Sequence, residues 1–210
     1  MKYLLLARHA QPMWPRVEEA CYHGWSDAPL TPRGRQQAQA LVERLAHEWE
    51  VSAIYSSDLR RAVETAGILG ECLQLPVISR SGLRELSFGE WEGMSYGEIV
   101  AHDPEKCRSW VSDPLNVAPP GGETLGECAS RVKVEMEAIR HEQVGDGTVL
   151  VVGHGGPLRL IVCHLLGMPE AYHWRVRLDL CSLSVWEWLE DMPVLTRLND
   201  TAHTDERRKG

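Results

Sequence analysis

The chain has no CxxC pair and no close Cys/His spacing of the kind that builds a structural zinc site. Its six cysteines, Cys21, Cys72, Cys107, Cys128, Cys163 and Cys181, lie far apart in the sequence and read as reduced, mostly buried thiols of a cytoplasmic protein. Long apolar runs are also missing. The N-terminal stretch Tyr3-Leu4-Leu5-Leu6-Ala7 is too short for a signal sequence core or a membrane span. Inside the domain no Lys/Arg block offsets a formal net charge of -8, which argues against the usual electrostatic footprint of nucleic-acid binding. Internal repeats are absent as well. An anionic ligand must then be held by a few arginines converging on one pocket.

What is present is the composition of an ordinary folded enzyme, with 43% hydrophobic and 25% charged residues in 210 positions, enough for one domain with a modest insertion. Residues 2–7 and 148–152 are continuous apolar runs, as expected of central strands covered on both faces. Shorter strands are predicted at 51–55, 76–79, 180–189 and 194–198. Helices are predicted at 32–49, where Thr31 can cap and Pro32 suits the first turn, and from Ser57 or Asp58 as cap to about Leu73. Further helices are expected at 124–142, on the apolar spacing of Leu125, Cys128, Val132, Met136 and Ile139, and from the glycines after His154 to Leu166.

Residues 81–122 break the pattern with glycines, prolines and two tryptophans, and only short helices are expected there, near 95–102 and 104–111. Such a segment is expected to form a small irregular cap over a site carried by the sheet. The alternation of strands and helices predicts an α/β fold, a three-layer α/β/α sandwich with a mostly parallel central sheet. The single domain is expected to span 1–202 and residues 203–210 to form a disordered tail.

Both long strands end in a histidine, within Arg8-His9-Ala10 and Gly153-His154-Gly155-Gly156. Ligands of open α/β sheets bind beyond the carboxyl ends of strands, so His9 and His154 are expected at one rim. The glycines allow close approach of backbone N–H groups, and the helix that starts there favours an anion. Either histidine alone would be unremarkable; the equivalence of the two positions is the signal. Arg8 adjoins His9, and Arg60 and Arg61 open the helix after the second strand, where one of them must be a solvated surface charge. Guanidinium groups suit a phosphate site without metal, because they stay charged and bind bidentately. One such charge at about 4 Å is worth about 4 kcal/mol at an effective dielectric of about 20. Metal hydrolysis is disfavoured because the two histidines lack carboxylate or cysteine neighbours at ligand spacing.

Seven ordered blocks resemble the histidine phosphatase superfamily, the phosphoglycerate-mutase-like proteins. They are Leu5–Ala10, Gly24–Thr31, Ser56–Ala66, Leu83–Glu85 with Phe88–Gly93, Pro120–Thr124, Val152–Gly156 and Leu198–Thr201. The resemblance implies His9 as nucleophile, Arg8 and Arg61 as phosphate-binding arginines, His154 as the second pocket histidine and Glu85 as proton donor. Without it, Glu85 could not be separated from Glu90 and Glu92, nor Arg61 from Arg60. It further implies substrate contacts from Gln11 and from the backbone at Gly155, and places His23 and Gly24 in a loop near the substrate.

Two departures stand out: Ala10 replaces the usual glycine after the histidine, and Met13-Trp14-Pro15 stands where relatives often carry an asparagine. Trp14 is expected either as an aromatic wall or as a packing residue. The implied activity is a phosphomonoesterase without cofactor, acting through phosphohistidine on a small-molecule phosphate monoester. The implied partners include neither nucleic acid nor membrane, and a homodimer through a sheet edge is conceivable. Phosphoglycerate-mutase-type transfer is the weaker enzymatic alternative, since residues 95–125 hold only Lys106 and Arg108 as basic groups. A non-catalytic member that binds phosphorylated ligands is the alternative of a different class.

Overall fold

The computed structural model describes residues 1–16, 20–143 and 145–204. Its strands are β1 (Tyr3–Arg8), β2 (Val51–Ser57), β3 (Val77–Arg80), β4 (Thr148–Gly153), β5 (Leu183–Leu189) and β6 (Met192–Asp200). Its helices are α1 (Pro32–Glu48), α2 (Arg60–Leu73), α3 (Tyr96–His102), α4 (Pro104–Ser112), α5 (Leu125–Glu142) and α6 (Gly155–Leu165). The strands form one six-stranded sheet in the order β3-β2-β4-β1-β5-β6. The first four run parallel, and β5 and β6 add an antiparallel edge.

The alternation of side chains along a strand separates the two covering layers. Leu4 and Leu6 of β1 and Val149 and Val151 of β4 face a core shared with Val132 and Ile139 of α5 and Leu160 and Ile161 of α6. Leu5, Ala7, Leu150 and Val152 face the other way, against Ala38, Leu41 and Leu45 of α1 and Ala62, Ala66 and Leu69 of α2. Both faces of β1 and β4 are therefore dry, which is why each reads as an unbroken apolar run. The irregular segment between β3 and α5 joins the first of these cores. Trp91 and Trp110 are buried in it edge to face, with ring centroids 5.4 Å apart.

Local signals explain most boundaries. Thr31 caps α1 by accepting from Gly34 N. Ser95 with Glu98 and Thr124 with Glu127 form capping boxes at α3 and α5, each of which satisfies two otherwise orphaned N–H groups. The expected cap of α2 is not made. Leu59 occupies the cap position with no side-chain bond, because Ser57 Oγ is engaged by His154 Nε2 at 2.7 Å and Asp58 is held bidentately by Arg84.

Other boundaries also differ from expectation. The helix predicted to reach 49 stops at Glu48, and Trp49 turns extended to meet Tyr3 edge-on. The strand predicted from 180 starts at Leu183, because Cys181 adopts a positive φ of 58° and donates its N–H to His9 O. The last strand is longer than 194–198 at both ends. A 3-10 helix at Glu170–Arg175 carries no clear sequence signal. His203 and Thr204, expected in a disordered tail, belong to a short turn, with His203 Nε2 on Cys181 O at 2.8 Å; residues 205–210 lie outside the described residues. All six cysteines are free, and four of them are buried. Among the described residues, no helix is long and apolar enough to cross a membrane.

Candidate active site

The parallel register that sets Arg8 beside Gly153 brings the ends of β1 and β4 together. His9 N donates to Gly153 O at 2.9 Å and Cys181 N donates to His9 O at 3.1 Å, so the His9 backbone is clamped on both sides. The two imidazoles meet at 5.1 Å between ring centroids and are both buried. Hydrogen bonding fixes the tautomer of His9. His9 Nδ1 lies 2.8 Å from Ala10 O, and a carbonyl can only accept, so Nδ1 bears the proton and Nε2 carries the lone pair. Arg61 Nε donates to that same Nε2 at 3.3 Å, which agrees.

His154 Nε2 lies 2.7 Å from Ser57 Oγ, which also accepts from Leu59 N at 3.3 Å. His154 Nδ1 is buried and has no partner among the described residues. A buried polar atom left unpaired costs about 1–3 kcal/mol, and in the Nδ1–H tautomer a phosphoryl oxygen would supply its acceptor.

Arg61, in the first turn of α2, is 1% exposed. Besides His9 it donates to Ser26 O at 2.8 Å and Gly24 O at 2.7 Å. Those carbonyls are presented by a loop that one carboxylate gathers up. Glu92 accepts from the N–H groups of Gly24, Trp25, Ser26 and Phe88 and from the Ser26 hydroxyl. Arg60 points outward to Glu64 at 2.8 Å, and the structure thus separates the two arginines. Arg8 donates to Leu178 O at 2.7 Å, and its Nε is buried with no partner among the described residues. A side chain at position 155 would contact the Arg8 guanidinium at 3.6 Å.

Glu85 enters from the irregular segment. Its carboxylate accepts from Gly156 N at 3.1 and 3.2 Å and from Leu86 N at 2.9 Å. A Cβ at Gly156 would fall 2.3 Å from Glu85 Oε1 and push the carboxylate away from this amide. Arg131, paired bidentately with Glu123, donates to Glu85 O at 2.9 Å, and Trp25 Nε1 donates to the same oxygen at 2.7 Å. Glu85 is near enough to raise the proton affinity of both Arg8 and Arg61.

The remaining expected contacts are distributed differently. Gly24 serves Arg61 and Glu92 through its backbone, in a place where a Cβ would lie 2.0 Å from Leu86 O. The Gln11 backbone is tied to Gln37 and Thr31, and its side-chain amide makes no hydrogen bond among the described residues. His23 stacks on Trp14 at 3.8 Å with 6° between the planes, and Trp14 lies 5.3 Å from the Arg61 guanidinium. Trp14 thus packs face to face on His23 and borders the Arg61 guanidinium. Sequence reasoning missed Ser57, Arg131 and the work of Glu92. Ser57 and Glu92 stand inside two of the quoted blocks, and Arg131 shows no local signal.

Burial, followed by the Arg61 and Arg8 cations, holds His9 well below the usual histidine range; the same causes and the neighbouring His9 act on His154. Burial draws Arg61 down to about 10, still high enough to remain charged at neutral pH. The neutral histidines give a signed stability prediction. Their folded proton affinity is lower than the unfolded value of about 6.5, so their contribution is complete above about pH 6.5 and is lost as pH falls below it. His173, brought to about 4 mainly by burial, acts in the same direction. The urea midpoint should fall between pH 7 and 5.5, and less steeply in the double variant His9→Asn/His154→Gln. Equal slopes would contradict the assignment.

The model of the histidine phosphatase superfamily (branch 1) matches residues 4–201. Phosphoserine phosphatase 1 of Hydrogenobacter thermophilus is 37% identical over 206 residues, covering 98% of this chain and 96% of that protein. The crystal structure of α-ribazole phosphatase from Shigella flexneri superposes with a TM-score of 0.86 at 30% identity, covering 95% of this chain and 96% of that one. A mycobacterial glucosyl-3-phosphoglycerate phosphatase gives 0.79 at 31% identity, covering 94% and 98%. With its two strand-end histidines, buried arginines and mixed six-stranded sheet, the chain belongs to branch 1 of the histidine phosphatase superfamily.

Proposed function

We propose that the chain is a metal-independent phosphomonoesterase that forms a phosphohistidine on His9 Nε2. The observation that carries this reading is the tautomer of His9. Its proton is spent on Ala10 O, and the lone pair faces the Arg61 guanidinium. Neutral Nε2 attacks phosphorus in line, and the bond from phosphorus to the ester oxygen breaks as the bond to nitrogen forms. Arg8, Arg61 and the His154 Nδ1–H hold the non-bridging oxygens, with Arg61 Nε turning its hydrogen bond from His9 to the phosphoryl group. Glu85, in its acid form, gives a proton to the departing alkoxide and then takes one from the water that hydrolyses phosphohistidine. Gly156 N–H keeps the carboxyl in place through both steps. Gln11, His23 and the backbone at Gly155 border the phosphoryl site as contacts for substrate, and residues 81–122 cover it.

The relatives support a small phosphorylated metabolite as substrate, since their names specify phosphatases of phosphoserine, α-ribazole and glucosyl-3-phosphoglycerate. The test is leaving-group dependence. Glu85→Gln should lower kcat/KM for alkyl phosphates by about 10²–10⁴-fold and for p-nitrophenyl phosphate by far less, with wild-type activity persisting in EDTA. Equal slowing of both ester classes would reject Glu85 as general acid. Activity abolished by the chelator would reject the metal-independent mechanism.

A further inference from the structure

The last of the seven sequence blocks, residues 198–201, has no part in the chemistry at phosphorus, yet it lies against the chain that backs Arg8 and His9. That backing is residues 178–182, which are neither helix nor strand. Leu178 O accepts from Arg8 Nη1 at 2.7 Å, Ser182 O accepts from Arg8 N at 3.2 Å, and Cys181 N donates to His9 O at 3.1 Å. The first of these is the sole hydrogen bond of the Arg8 side chain among the described residues. An irregular stretch has no ladder of its own to fix it, so its position depends on the partners that satisfy its backbone from behind.

Asn199 supplies that support at the Arg8 end. Its Oδ1 accepts from Asp179 N at 2.6 Å and its Nδ2 donates to Asp179 Oδ2 at 2.9 Å. Asp179 N–H and Leu178 C=O belong to one planar peptide group, so fixing the direction of the first fixes the direction of the second. The Asn199 amide and the Arg8 guanidinium therefore hold opposite ends of the same peptide. A bulge delivers Asn199 to this place. Between the pairs Leu183–Asp200 and Val185–Arg197, β6 carries one residue more than β5, and Asn199 adopts a φ of 55°. Bulges re-aim a side chain, and asparagine enters the left-handed region more readily than most residues. Asn199 N, donating to Ser184 Oγ at 3.1 Å, anchors the bulge to β5.

We infer that Asn199 is a positioning residue, which aims the Arg8 guanidinium at the phosphoryl group through the peptide between Leu178 and Asp179. The inference rests on the phosphomonoesterase reading, in which Arg8 holds the non-bridging oxygens. Arg8 needs such a support because a guanidinium binds phosphate as a rigid fork, whose worth depends on its orientation. With Nη1 tied to Leu178 O, the buried and unpartnered Nε is kept free for the ligand.

A double-mutant cycle on p-nitrophenyl phosphate tests this. Asn199→Gly removes the amide and keeps the backbone conformation accessible; it should lower kcat/KM about tenfold, the range of one charge-assisted hydrogen bond. The Arg8→Lys side chain ends one bond short of Nη1 and releases Leu178 O, so in that background Asn199→Gly should change kcat/KM by less than about twofold. A residue that only supports the fold would cost the same factor in both backgrounds, since independent effects multiply. Asn199→Asp, which sets a carboxylate against Asp179 Oδ2, is expected to show the same pattern and carries the cycle if the glycine variant does not fold. Equal factors in the two backgrounds, or wild-type kcat/KM in the Asn199 variants, would overturn the positioning role and leave the phosphatase reading standing. Absence of wild-type turnover on every monoester would overturn the phosphatase reading and the inference with it.

Discussion

Replacing His9 with alanine is expected to lower phosphatase turnover by at least about 10⁴-fold, because it removes the atom proposed to take up the phosphoryl group. The same variant should yield no acid-labile, protein-bound phosphate in rapid-quench experiments, whereas the wild type should. The two readouts separate nucleophile from scaffold. His9 also packs against His154 and is clamped through its backbone by Gly153 and Cys181, but those backbone bonds survive the substitution. Loss of turnover with retained trapping would move the nucleophile elsewhere; full activity would remove it altogether.

The second large effect is expected at Arg61. Arg61→Ala should reduce kcat/KM by about 10³-fold, within the range seen when a transition-state donor is deleted. It also leaves Gly24 O and Ser26 O without their donor. Arg60→Ala, one residue away, should stay within about twofold, since its exposed pair with Glu64 is worth at most about 1 kcal/mol. Steady-state kinetics on one aryl and one alkyl phosphate decide the matter. An inactive Arg60→Ala beside an active Arg61→Ala would invert the assignment.

The layer architecture was legible because β1 and β4 are dry on both faces and therefore carry continuous apolar runs, because Thr31 announces α1 with a local hydrogen bond, and because α5 shows regular apolar spacing. The two histidines were legible because each directly follows such a run. What escaped depends on partners remote in sequence. Ser57 looks like a helix cap until His154, 97 residues away, claims its hydroxyl. Gly24 looks like a substrate contact until Arg61 takes its carbonyl. Glu85 could be chosen over Glu90 and Glu92 only by resemblance. No periodicity governs that segment, and what brings Glu85 to the site is an approach to Gly156 across 71 residues.

The contrast between how His9 and Glu85 are held has a consequence for how the protein opens. His9 belongs to the hydrogen-bonded centre of the sheet, whose amides should exchange with solvent only on global unfolding. Glu85 hangs from an irregular stretch by two side-chain donors, Arg131 and Trp25, and by one glycine amide. Such a stretch belongs to the fast-exchanging end of the stability range. A partial opening confined to Glu85 and its immediate neighbours, with the Glu92 contacts to Gly24 and Ser26 kept, would strip the proposed proton donor from the site and leave His9 and the arginines in register. The opened form would still accept phosphoryl groups from activated esters while losing the unactivated ones, so progressive destabilisation should narrow the range of esters cleaved before it abolishes cleavage.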